Sequence, residues 1–180
     1  MLGIVFSEFL EMVEDKFSDD MVDNIIDDAG IENDGAYTSV GSYDHNEILA
    51  LVTALSERSG IDVPTLVRTF GKHLLGRFVE RYPVFFEGIT DPFDFLKTID
   101  QHIHKEVRKL YPEAQLPRFE HDVKNSDVIV MTYSSERPFS ELAHGLIEGT
   151  MDYFNQPCSI TVEDNSTDKR SFVMFTITKK

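Results

Sequence analysis

Tyr133, Ser135 and Arg137 alternate within the run Tyr133-Ser134-Ser135-Glu136-Arg137. If that run is extended, alternation puts all three on one face. The face then carries a phenol, a hydroxyl and a guanidinium, each a hydrogen-bond donor. Such a fork suits a small dianion with two carboxylates, because arginine grips carboxylate bidentately. Upstream lies a helical segment carrying His104. A haem presents two propionates at one edge and takes an axial ligand at its iron, most often histidine. Together the two segments suggest a haem site. The competing reading of the fork is a solvated sheet face, with Arg137 paired to one of the many carboxylates.

The chain has six histidines, and most histidines are surface or structural groups. His102 and His104 share the helix expected to start at Asp91-Pro92 and end at Tyr111-Pro112. Its core stripe is Leu96, Ile99, Ile103, Val107 and Leu110. At about 100° per residue, each histidine falls roughly 100° from that stripe, on opposite flanks. Periodicity therefore does not choose between them. It does exclude a shared metal, since residues two apart diverge by about 200° and helical pairs that share a metal are spaced i, i+4. His104 shares its flank with Phe93, Val107 and Tyr111, which could wall a macrocycle.

The elements that must position these groups are mostly helical. Apolar spacing predicts a helix over Gly3 to Phe17, and Ser18 caps a second over Asp19 to Ala29, stopped at Gly30. Others are expected over Asp44 to Ser59, ended by Gly60, and from Val63-Pro64 to Tyr82-Pro83. After Pro117 the character changes. Val128 to Tyr133, Ser159 to Val162 and Ser171 to Thr178 read as strands, with a further helix over Pro138 to Phe154. Helices followed by a few strands indicate an α+β domain with a small antiparallel sheet and an inserted helix. With no repeat or linker, residues 1–180 read as one domain. Its helical part is about 1–112 and its helix-plus-sheet part about 117–180.

Seventeen lysines and arginines against 32 aspartates and glutamates give a net charge of −15. That balance excludes nucleic acid and anionic membranes as ordinary partners and suits a partner with a basic patch. No apolar run is long enough to span a bilayer, and the first residues lack the basic flank of a signal peptide. The single cysteine, Cys158, forms no internal disulfide and fits a cytoplasmic setting.

Tyr-x-Ser-x-Arg at 133–137, His104 in His-Lys-Glu-Val-Arg-Lys-Leu-Tyr, and the opening Met1-Leu2-Gly3-Ile4-Val5-Phe6 resemble the haem nitric-oxide/oxygen-binding (H-NOX) family. The resemblance spans essentially the whole chain. It implies haem b held between the two parts, with His104 as the axial ligand and His102 as its surface neighbour. It implies that Tyr133, Ser135 and Arg137 hold the propionates. Pro117 stands where the family has a proline packed against the porphyrin; a loop proline that ends a helix is an equal reading. In members that hold oxygen, a distal tyrosine lies nine residues beyond the fork's tyrosine, and here that position is Leu142. With Val5, Leu74, Phe78 and Leu146, the distal pocket reads as apolar, although all five could be plain core.

The resemblance therefore implies a sensor for nitric oxide, with carbon monoxide as a further ligand, that excludes stable oxygen binding. NO would weaken the bond to His104, and the helical part would shift against the sheet part. The signal would pass to a separate protein such as a histidine kinase, a diguanylate cyclase or another cyclic-di-GMP enzyme. Two rivals remain. A peroxidase-type haem enzyme needs distal acid–base groups, and His144 is the nearest candidate. A cofactor-free acidic adaptor would make the fork a surface strand. No nucleophile elbow, phosphate loop or zinc spacing points to other enzymes, and without a cysteine cluster haem is the only metal centre expected.

Overall fold

The computed structural model describes all of residues 1–180. Four helices build the first half: α1 (Gly3–Lys16), α2 (Asp19–Ala29), α3 (His45–Ser59) and α4 (Val63–Arg81). Their ends follow local chemistry. Ser18 Oγ accepts the Met21 N–H at 3.2 Å, Asp44 accepts from Asn46 at 2.9 Å, and Asp62 accepts from Thr65 at 2.9 Å. Each occupies an orphan donor of a first turn. Gly30 and Gly60 terminate α2 and α3 in the left-handed region, at φ 63° and 74°, which a side chain would resist. The apolar stripes meet in one cluster that includes Phe6, Phe9, Met12, Leu51, Leu55 and Phe70. Within it, Phe9 and Phe70 stand edge to face at 5.3 Å.

The helix expected from Asp91 to Tyr111 is not one regular helix. It runs as α5 (Pro92–Thr98), a π-helical turn over Ile99–Ile103, and α6 (His104–Leu110). The Asp91 carboxylate caps α5 at the Phe93 N–H, 2.7 Å away. The expected core stripe also ends early, since Leu110 is 76% exposed. A π turn inserts an extra residue into the repeat, so face assignments made at 100° per residue do not carry across it.

The second half is a four-stranded antiparallel sheet of order β1-β2-β4-β3, from β1 (Arg118–Asn125), β2 (Val128–Ser135), β3 (Cys158–Asp164) and β4 (Ser171–Lys179). Helix α7 (Ser140–Tyr153) lies between β2 and β3 in sequence. Pairing sets Ile129 opposite Ile177, Met131 opposite Phe175 and Tyr133 opposite Val173. These six form the buried sheet face, closed by Phe93 and Leu96 of α5 and by Ala143, Ile147 and Met151 of α7. The other side of α7 crosses α4 at close range. A Cβ on Gly71 would lie 2.5 Å from the Leu142 carbonyl oxygen, and one on Gly145 would overlap the Arg68 carbonyl. Helix α7 therefore joins the helical core to the sheet. The sequence does not announce β1; it is an edge strand, and its residues are mostly polar and exposed.

Candidate cofactor site

His104 is the first residue of α6, directly after the π turn. His102, inside the turn, is exposed and stands edge-on to Phe85 at 5.9 Å. His104 keeps only 13% of its side chain exposed. Its Nδ1 lies 3.4 Å from Asp100 Oδ1, and the same oxygen accepts the Phe119 N–H of β1 at 3.5 Å. Burial holds the imidazole below its ordinary pKa, with Asp100 pulling the other way. The ring is therefore neutral near pH 7. A proton on Nδ1 answers the carboxylate and leaves Nε2 with the lone pair that a metal takes.

The fork departs from simple alternation. Tyr133 and Ser135 lie in β2, but Arg137 lies two residues past its end. A turn brings it back, because the Tyr133 hydroxyl donates to the Arg137 carbonyl at 3.3 Å and Ser135 Oγ accepts the Arg137 N–H at 3.0 Å. Tyr133 is 2% exposed, and burial raises its pKa. The Arg137 guanidinium donates to Gln115, through Nη2 to Oε1 at 2.6 Å and Nη1 to the carbonyl at 3.4 Å. The ion pairs of this chain do not include Arg137. An arginine held only by a neutral amide, in a chain with 32 acidic residues, keeps donors free for an external carboxylate.

Histidine and fork meet through Phe119. Its ring lies 6.0 Å from His104 and 5.5 Å from Tyr133. Pro117 directly precedes β1. Among the five apolar residues, Leu74 is a buried member of the helical cluster, and Val5, Phe78, Leu142 and Leu146 pack on it half-buried. Leu146 also packs with Ile103 on the small cluster of Leu75, Phe86 and Phe95. His144 points elsewhere: its ring sits 5.4 Å from Phe175 on the sheet. Neither principal cleft is lined by His104, Tyr133, Pro117 or the five apolar residues; one, of about 560 Å³, reaches the fork at Ser135 and Arg137.

Asp100, Phe119 and Gln115 belong to this neighbourhood and were missed in the sequence. Asp100 had a signal, the i, i+4 spacing to His104, which places a carboxylate one turn before the imidazole. Gln115 and Phe119 had none, because only the tertiary fold brings them to the site. The donor set fits a haem: a neutral, half-buried imidazole backed by a carboxylate, and an arginine without an acidic partner.

Comparison with known proteins agrees. A family profile described as Haem-NO-binding matches residues 2–162. No curated protein matches the chain. The Fe(II) unliganded H-NOX protein from K. algicida is 38% identical, with a TM-score of 0.92 over 100% of this chain and 97% of that one. A T. tengcongensis H-NOX variant is 27% identical, with a TM-score of 0.91 over 100% and 98%. An oxygen-binding H-NOX domain related to soluble guanylate cyclases, solved as its oxygen complex, is 27% identical, with a TM-score of 0.87 over 100% and 95%. The chain belongs to the haem-NO-binding (H-NOX) family of haem-binding gas-sensor domains.

Proposed function

We propose that the chain is a single sensor domain that binds nitric oxide at ferrous haem b, excludes stable oxygen binding, and signals to a separate effector in the cytoplasm. The haem would supply the iron at which the gas binds. His104 would hold that iron through Nε2, with Asp100 fixing the ring. Arg137 and Ser135 would meet the propionates, with Tyr133 setting the turn that carries them. Pro117 would press on the macrocycle from the His104 side. The observation that carries the reading is His104 itself, a half-buried neutral imidazole in contact with Asp100 and linked through Phe119 to the fork.

Selectivity rests on Val5, Leu74, Phe78, Leu142 and Leu146. Bound oxygen gathers charge on its outer atom and is stabilised by a nearby donor. None of these five side chains donates a hydrogen bond. His144, the one histidine of α7, packs toward Phe175, which disfavours peroxidase-type acid–base chemistry. Any change in the pull on His104 reaches the π turn and, through Asp100, the backbone of β1. A histidine kinase or a cyclic-di-GMP enzyme is the class of effector we favour.

The test is the absorption spectrum of the reduced protein, first in air and then with NO. A five-coordinate ferrous Soret band that is stable in air and shifts with NO is expected. An oxygen complex lasting minutes would overturn the selectivity. Absence of a Soret band after haem is supplied would overturn the haem reading.

A further inference from the structure

The summed charge of −15 conceals one region of opposite sign. Lys16, Lys105, Arg137, Lys169, Arg170 and Lys180 are the basic side chains outside every ion pair. Arg137, Lys169 and Arg170 line the same cleft of about 560 Å³, together with Arg118 and only one carboxylate, Glu136. Arg170 is pinned there rather than free, since its Nε donates to Ser134 Oγ at 2.9 Å and its Nη2 to the same oxygen. Arg118 pairs with Glu120 at 2.9 Å, but both side chains are more than half exposed, where water screens such pairs strongly. Four cations thus converge at the end of the sheet while acidic groups dominate elsewhere.

We infer that this cleft is the docking surface for an acidic segment of the effector protein; the inference rests on the sensor reading above. Three observations favour that occupant. The cations are spread along an open mouth, Arg118, Lys169 and Arg170 on exposed residues and Arg137 half-buried, which suits an extended acidic stretch better than one small ion. The rest of the surface repels an acidic partner, so complementarity here would steer and orient its approach. Arg137 belongs both to this mouth and to the proposed propionate clamp, so one side chain touches both cofactor and partner. A change at the cofactor edge then reaches the partner without crossing the protein.

The experiment uses the haem-loaded full chain and a fluorescent peptide of alternating aspartate and glutamate, at low and at physiological salt. Lys169→Glu is compared with Lys16→Glu, which makes the same charge change on α1. The peptide should bind the wild type, lose about tenfold in affinity with Lys169→Glu, and be little affected by Lys16→Glu. The Soret band should be unchanged in both variants. No peptide binding to the wild type, or equal losses in the two variants, would overturn the docking surface. Complete displacement of the peptide by millimolar inorganic phosphate would overturn it in favour of a small-anion site. A missing Soret band would instead overturn the haem reading, so the two failures are distinguishable.

Discussion

Arg137 is the residue proposed to meet the propionates, since no carboxylate in the chain pairs with it and Gln115 alone holds its guanidinium. A charge-assisted hydrogen bond to a carboxylate is worth about 1.5–3 kcal/mol. Arg137→Ala should therefore speed haem transfer to apomyoglobin on the order of tenfold to a hundredfold, while Arg137→Lys should restore part of the loss. Unchanged transfer would mean that the guanidinium does not hold the propionates. Elsewhere, His73 and His144 are both held below the ordinary imidazole pKa by burial. Nearby carboxylates partly oppose this, Glu8 for His73 and Glu148 and Glu141 for His144, while Arg77 and Arg68 reinforce it. Because the folded pKa values are depressed, the unfolded chain takes up protons first. Their stabilisation is full above about pH 6.5 and is lost as pH falls through the lower folded values. The urea midpoint should fall between pH 7.5 and 5.5, and His144→Phe should shrink that fall.

At the scale of elements, the crossing of α4 and α7 depends on Gly71 and Gly145. Gly145→Ala sets a methyl against the Arg68 backbone, and overpacking of this kind costs about 1–3 kcal/mol. A clear drop in melting temperature is expected, whereas Gly76→Ala, with open space around it, should be neutral or stabilising. The first four helices, α7 and strands β2, β3 and β4 were legible because caps, glycine stops and apolar period largely agree at their ends. β1 was not, since Phe119 and Val123 are its only apolar residues and give little contrast to show. The π turn was also hidden, because its signature is a backbone repeat and not a residue type. That turn explains why periodicity could not separate His102 from His104: the two flanks were drawn for a regular helix that this segment does not form. Tyr133 and Ser135 were legible from alternation, while the return of Arg137 by a turn was not.

At the scale of the molecule, two apolar clusters face each other across α7, one of helices and one under the sheet. His104 and the fork belong to the sheet side through Phe119, and the five apolar residues belong to the helical side. A cofactor gripped by both sides would convert a change at the iron into a relative shift of the two. No helix is long and apolar enough to cross a membrane. Whether His104 supplies the bond between protein and iron is decided by the Soret spectrum of reduced His104→Gly, without and with imidazole. The five-coordinate band should be lost in this variant and should return when imidazole is added. A variant that keeps the wild-type band without imidazole would contradict that role of His104.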